Sequence, residues 1–408
     1  MTIQPSDFER YSSPIPVRHR RKVPFSPRIR LPEGVAETLR TLAVLDRDLG
    51  QFVVSPRDFD ERVQDVVASN LFSSVRLEGN PLSLEEVRSV ARASLRGKAP
   101  LDARPPSREV VNHLFLWLLP DELAPPWTVT TLTRVHRALL SKVDPKARAG
   151  RLRNREGAIY SDLGEELFIT CPPGKIAEEL SSLLRWLNED APSLSPLVAG
   201  AIFFHEFESI HPFTEGNGRT GRVLFHAYLQ NHGLENAYRT RMEVELLRFP
   251  ESYYRVLSWT DASADYSVLL AYFAEAVRTA YTEALQWFRE HDLGKSMDPL
   301  THRLLVRAFV ERSWFDLGTA RTWIPSRGEQ TVRNHLNRLV GQGLIATRGR
   351  TRSRRYRFVD PLAGLRNPLE PLRRPLGLDA TSSRASRARP PPRAAAPGRR
   401  RSGAPPEE

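Results

Sequence analysis

Cysteine is almost absent from this chain of 408 residues: Cys171 is the only one. No intrachain disulfide can form, and no Cys-based zinc site is expected. Lysine is nearly as scarce, with 6 lysines against 54 arginines; codon usage in a GC-rich genome accounts for that bias. No stretch approaches the roughly 18 apolar residues that a membrane-spanning helix needs, so no membrane partner is expected. The segment 1–31 is rich in Arg and Pro and contains no apolar h-region, which argues against a signal peptide. A cytoplasmic location fits these absences.

What is present is ordinary for a globular protein: 40% hydrophobic and 26% charged residues. The length allows two or three domains. The net charge of +12 is unevenly spread. Residues 301–360 hold 13 Arg against 4 acidic residues, and 371–408 hold 9 Arg against 3. The segment 301–408 thus carries +15 and the segment 1–300 carries −3. A nucleic-acid or acidic partner is therefore sought only at the C-terminal end.

The apolar spacing divides the chain into an irregular arm (1–31), an N-terminal helical region (32–100), a mostly α core (101–295), a helical and strand-bearing module (300–360) and a tail (361–408). Helices are predicted at about 32–48, from Pro56 with Ser55 as cap, from Ser83 with a Ser83/Glu86 capping box, at 108–118, 130–141, 175–188 and 197–207, after Arg222 to about 231, and twice within 250–291. Glu78-Gly79-Asn80-Pro81 reads as a helix stop. The strands 158–160 and 167–169 flank a polar turn with Asp162 and Gly164 and predict a β-hairpin. Beyond 300, a helix at 304–314, a helix capped by Ser326 and closed by Gly343, and strands 345–347 and 356–359 predict a winged helix-turn-helix. The tail is Pro-, Arg-, Ala- and Ser-rich and is predicted to be disordered.

One segment carries the chemistry: His211-Pro212-Phe213-Thr214-Glu215-Gly216-Asn217-Gly218-Arg219-Thr220-Gly221-Arg222. Two glycines flanking an asparagine at a helix start let backbone N–H groups converge on an anion. The helix N-terminus adds its dipole. Arg219 and Arg222, three apart, share a face of the first turn. Glu215 beside a phosphate site implies Mg²⁺ between the like charges. His211 is the group that exchanges a proton near neutral pH, which suits a general base. His205, His226 and His232 lie nearby without metal spacing, and His205-Glu206 lacks the second His of a His-Glu-x-x-His site.

The segment resembles the signature of the Fic family, His-Pro-Phe-x-[Asp/Glu]-Gly-Asn-Gly-Arg-x-x-Arg, at all nine specified positions. The resemblance extends over roughly residues 30–290. It implies a mostly α Fic-type domain with a β-hairpin flap, and an adenylyltransferase that moves AMP from ATP to a Tyr, Thr or Ser hydroxyl of a target protein. By the same resemblance His211 is the base, Glu215 holds Mg²⁺, and Gly216, Asn217 and Gly218 line the anion nest. Arg219 steadies the phosphates, and Arg222 binds the γ-phosphate. Phe213 anchors the loop. The hairpin 154–171 is the target-binding flap, preceded by Gly150-Arg151-Leu152-Arg153, which also fits the family.

Ser74-Val75-Arg76-Leu77-Glu78-Gly79 resembles the family's inhibitory pattern [Ser/Thr]-x-x-x-Glu-[Gly/Asn]. The resemblance implies that Glu78 pairs with Arg222 and blocks ATP's productive pose, with Ser74 in support. Some relatives instead remove AMP, use another donor or transfer phosphate; the phosphate-transferring branch departs from the Gly that stands here as Gly216. In the C-terminal module, Arg333 and Arg338 on a helix and Arg348, Arg350, Arg352, Arg354 and Arg355 on the wing suit DNA phosphates. Similar modules follow Fic domains in many bacterial proteins. A second reading is a DNA-bound regulator whose Fic domain senses nucleotide. Target identity and homo-oligomer formation stay open.

Overall fold

The structure is a computed structural model that describes residues 5–20, 22–99, 104–144, 147–161, 163–311, 313–350, 353–366 and 369. Asp162 and Arg352, and the tail beyond 369, lie outside the described residues.

Eleven α-helices among the described residues build the larger part. They are α1 (Glu33–Gln51), α2 (Pro56–Leu77), α3 (Leu84–Leu95), α4 (Pro105–Leu118), α5 (Val129–Leu140), α6 (Ile176–Glu189), α7 (Pro196–Ile210), α8 (Asn217–Asn231), α9 (Met242–Leu246), α10 (Pro250–Ser263) and α11 (Ser267–Glu290). Local chemistry sets the boundaries. Ser55 Oγ accepts from Asp58 N, with Pro56 at the first helical position. Ser83 and Glu86 form the expected capping box. At the end of α2 the backbone turns on Gly79 (φ +84°), so Glu78 leaves the helix axis there. α7 is apolar on every side and is buried almost end to end, at the centre of one large core.

The arm is not wholly irregular. A short strand β1 (Val17–Arg18) pairs in parallel with β3 (Glu166–Ile169), which pairs antiparallel with β2 (Ala158–Tyr160). The sheet order is β1-β3-β2, so one edge of the hairpin is already covered. Phe8, Val17 and Phe25 bury their side chains, which explains why a Pro-rich segment stays attached.

The C-terminal part has its own apolar core, from Leu304 to Tyr356. Its elements run α12 (Pro299–Glu311), β4 (Phe315–Asp316), α13 (Leu317–Trp323), α14 (Glu329–Gly341), β5 (Ile345–Arg348) and β6 (Arg355–Phe358), with sheet order β4-β6-β5. This is the order of a winged helix. One local expectation changes. Gly328, not Ser326, stands at the α14 N-cap, without a side-chain cap bond. Asp316 caps α13 through Thr319 N. Irregular structure was expected from 361 onward, yet α15 (Pro361–Arg366) is helical. Leu365 and Leu369 are buried in the large core, because their apolar surface has a place to go. No helix among the described residues is long and apolar enough to cross a membrane.

Candidate active site

The signature segment joins the end of α7 to the start of α8. His211 is the C-cap of α7 in the left-handed region (φ 52°, ψ 61°), a conformation uncommon for a side chain with a Cβ. Four bonds hold this turn. The His211 N–H donates to Phe207 O at 3.0 Å, and Arg153 Nε donates to the His211 carbonyl at 2.7 Å. Arg153 N donates to Pro212 O at 2.9 Å. The His211 ring Nδ1 lies 3.2 Å from Glu208 O. A carbonyl only accepts, so Nδ1 carries the hydrogen and the Nε2 lone pair is left for an incoming proton. Burial holds the ring well below its ordinary value, down to about 4, with the Glu208 bond opposing. At neutral pH His211 is an uncharged base.

Asn217 does not use its side chain on a ligand. Its Oδ1 accepts from Phe213 N and its Nδ2 donates to Phe213 O, both at 2.9 Å, which closes the loop on itself. The nest is therefore backbone: the N–H groups at the start of α8, which lack intrahelical partners. Gly216 (φ +75°) is the α8 N-cap, and a Cβ there would come 2.6 Å from Leu140 Cδ1. Glycine is needed on both counts.

Two residues outside the segment fix it from below. The His136 ring stacks on Phe213 at 3.7 Å and 10°. Its Nδ1 accepts from Gly150 N at 2.7 Å, so its Nε2–H donates to Glu215 O at 2.8 Å. Burial depresses His136 to about 4, which keeps this neutral tautomer. Arg153, buried, also donates to Ile210 O (3.2 Å), Arg155 O (2.8 Å) and Cys171 O. One guanidinium thus ties the base loop to the foot of the hairpin. The Glu215 carboxylate is exposed, and burial of its surroundings raises it above its ordinary range while Arg219 opposes. Its side chain makes no hydrogen bond or ion pair among the described residues. An exposed hard oxygen donor beside the nest fits Mg²⁺.

Above the nest sits Glu78. Its carboxylate is 3.0 Å from Arg222 and 3.5 Å from Arg219. A Cβ on Gly218 would collide with it and with Arg222. Burial favours its neutral form, but Arg222 and then Arg219 outweigh burial and keep it ionised below the usual carboxylate range. Ser74 does not bond to Glu78. It orients Arg222 instead, accepting at Oγ from Nε (2.9 Å) and at its carbonyl (3.1 Å). Glu243 lies 2.8 Å from Arg222 Nε and also pairs with His226. Glu109 pairs with Arg219 and accepts from Asn80 Nδ2 at 2.7 Å, linking the α2 stop to the signature helix. Burial pushes Glu208 up to about 8, so that carboxyl is neutral at pH 7 and leaves Arg222 to Glu78 and Glu243.

All nine residues singled out in the sequence therefore converge: His211, Glu215, Gly216, Asn217, Gly218, Arg219, Arg222, Glu78 and Ser74. Sequence reasoning did not single out Glu109, His136, Glu208 or Glu243, and it named Arg153 without a role. Apart from Glu208 on α7, they come from elements outside the signature and its approach, and no local pattern marks them as its partners.

Residues 126–229 match the Fic/DOC family model. Protein adenylyltransferase fic-1 of Caenorhabditis elegans is 26% identical over 216 residues, 48% of this chain and 40% of that protein. Protein adenylyltransferase Fic of Drosophila melanogaster is 29% identical over 170 residues, 40% of this chain and 32% of that protein. The chain thus spans well under half the length of these curated relatives. A Fic family protein from Desulfovibrio desulfuricans G20 superposes with a TM-score of 0.54 at 24% identity, over 82% of this chain and 98% of that one. At that identity the likeness is one of fold.

Proposed function

The chain is a Fic family protein, and from that premise we propose that it transfers AMP from ATP to a Tyr, Thr or Ser hydroxyl of a target protein. The observation that carries this reading is the neutral His211, its Nε2 lone pair unspent, beside a helix N-terminus that holds two arginines. Sensing a nucleotide needs no base; activating a hydroxyl does.

His211 Nε2 takes the proton of the target hydroxyl. That oxygen bonds to the α-phosphorus of ATP, the bond to the bridging oxygen breaks, and pyrophosphate leaves. The N–H groups opening α8 face the phosphate oxygens, where charge is spread during transfer. Arg219 steadies the phosphates and Arg222 takes the γ-phosphate. Glu215 is the residue that would hold Mg²⁺, which neutralises phosphate charge when bound. The hairpin receives the target: Ile159, Tyr160 and Leu163 expose apolar surface there, Leu163 at 88%.

Glu78 brakes this reaction. A γ-phosphate and the Glu78 carboxylate compete for Arg222, and the second already holds it at 3.0 Å. The test uses Glu78→Gly protein with ATP labelled at the α- or the γ-phosphate, and cell lysate plus the protein itself as acceptors. Label on protein from the α position alone is expected. Label from γ alone would mean phosphate transfer. Label from neither would leave AMP removal, another donor or nucleotide sensing, and the reading would fall.

The wing supports a DNA partner. Arg348, Arg350, Arg355 and Arg357 are exposed, and Arg348 and Arg357 lie over the Trp314 ring at 4.4 and 4.9 Å. On α14, Arg333 pairs with Glu329 (2.7 Å) and Arg338 with Asp298 (2.6 Å), so the wing carries more unpaired charge than the helix. Affinity for duplex DNA should fall with added salt, with a log–log slope of about −0.9 per phosphate neutralised. Arg350→Ala with Arg355→Ala should flatten that slope. Absence of binding to any duplex at low salt would sink the DNA reading.

A further inference from the structure

Behind the base loop, three side chains of metal-binding type meet at the foot of the hairpin. They are His19 from the arm, Cys171 just after β3, and Glu179 on α6. One donor atom from each lies within 4.8 Å of the others. The strand pairing brings the first two together. Arg18 faces Ile169 in register, and His19 N donates to Ile169 O at 2.8 Å, so His19 and Cys171 leave the sheet side by side. All three side chains are shielded from solvent: that of His19 is 3% exposed, Glu179 is 3% exposed and Cys171 is fully buried.

The imidazole is set as a ligand would be. Ser209 Oγ donates its one hydrogen to Asp261 Oδ1 at 2.7 Å. The 2.8 Å contact between Ser209 Oγ and His19 Nδ1 must then be filled by the Nδ1 hydrogen. An Asp–Ser–His chain of this kind fixes the tautomer and turns Nε2 inward, the usual supporting arrangement behind a metal-bound histidine. Nε2 is buried and has no hydrogen-bond partner among the described residues. It points toward Glu179 Oε2 at 3.8 Å, beyond the reach of a hydrogen bond. Glu179 Oε2 also accepts from Lys22 N at 3.2 Å, so the unspent group here is the buried His19 Nε2 lone pair, which a metal ion would use.

From this juxtaposition we infer that His19 Nε2, Cys171 Sγ and a Glu179 carboxylate oxygen form a zinc site that fastens the arm to the base of the hairpin. Ligand atoms on a tetrahedral zinc stand about 3.3 to 3.6 Å apart, from bond lengths of about 2.0 to 2.3 Å. Closure by roughly an ångström is therefore enough. A thiolate with an imidazole selects zinc over magnesium or calcium. Three protein ligands leave a fourth position for water. Arg153, bonded to the Cys171 carbonyl, places positive charge near the thiolate. A single cysteine excludes sites built on several thiolates. It does not exclude one thiolate among ligands of other kinds.

Cobalt(II) replaces zinc at such sites and reports a bound thiolate through a near-ultraviolet charge-transfer band. Since Cys171 is the only cysteine, any such band arises there. Titration of the full chain should saturate the band at about one cobalt per chain, and zinc should abolish it. Cys171→Ser should remove the band. His19→Gln and Glu179→Gln, similar in size to the residues they replace, should weaken cobalt binding at least about tenfold, since even loss of a supporting partner costs about 10–100-fold. Glu215→Ala should leave the band unchanged, which separates this site from the nucleotide site. A folded wild-type chain with no band at saturating cobalt overturns the proposal, as does a band of unchanged affinity in both His19→Gln and Glu179→Gln.

Discussion

Replacing Glu78 by glycine is expected to raise AMP transfer about 5- to 150-fold at subsaturating ATP, the range of a coupling of about 1–3 kcal/mol between two competing ligands. The carboxylate is the rival ligand, and it holds both signature arginines. Its removal does not orphan Arg222, which keeps Ser74 and Glu243. Nor does it unwind α2. The bonds that close that helix are backbone bonds from residues 78, 79 and 80, and φ −96° at position 78 suits any residue. Glu78→Gln should fall between wild type and glycine, since it keeps the bulk over Gly218 and loses the charge. Initial rates of α-label incorporation across ATP concentrations decide the matter; a Glu78→Gly rate equal to wild type throughout would end the idea of a brake.

In that released background, His211→Ala should lower the rate by about 10²–10⁴, the usual worth of a positioned general base. ATP binding should change little, because the proposed phosphate contacts lie on α8 and not on His211. The pH profile is a separate readout. A base must be deprotonated to act, and burial takes His211 down to about 4. Glu78's charge opposes that fall, so glycine at 78 moves the ring further down. The rate in Glu78→Gly should therefore stay flat as pH falls from 8 to about 5 and drop only near 4. A drop centred near 6.5 would show an ordinary, solvated imidazole and count against the geometry at the end of α7.

The candidate site was legible where function sits in consecutive residues. His211 to Arg222 form one loop and one helical turn, so spacing alone brought His211, the helix N-terminus and both arginines together. Glu78 was legible through its resemblance to the family's inhibitory pattern, and the helix stop at Gly79 agrees with a carboxylate leaving the helix axis there. The supporting shell was not legible. Glu109, His136 and Glu243 sit inside ordinary helices, and only tertiary packing brings them under the loop. Asn217 keeps its place at the start of α8, in the backbone nest. What the sequence did not reveal is that its side-chain amide closes the loop on Phe213. In the fold, α13 was hard to bound because so short a helix holds barely two turns of pattern. Strand β1 went unseen because Val17 and Arg18 alone carry no periodicity, and their pairing depends on β3, which lies far along the chain beyond five helices.

With Val17 and Arg18 lying along one side of β3, a visiting peptide strand has the outer edge of β2 to join at the hairpin. That choice sets a parity rule on what can be modified. Side chains alternate between faces along a paired strand, so hydroxyls at even and odd places in the visitor point opposite ways. If the target docks on that edge as proposed, a slip by a single position would turn a Ser, Thr or Tyr to the opposite face. The irregular pairing between Ile159 and Tyr160 shifts the register within that short edge. Two neighbouring hydroxyls in one target loop should therefore not be equivalent, and the label should fall on alternate positions.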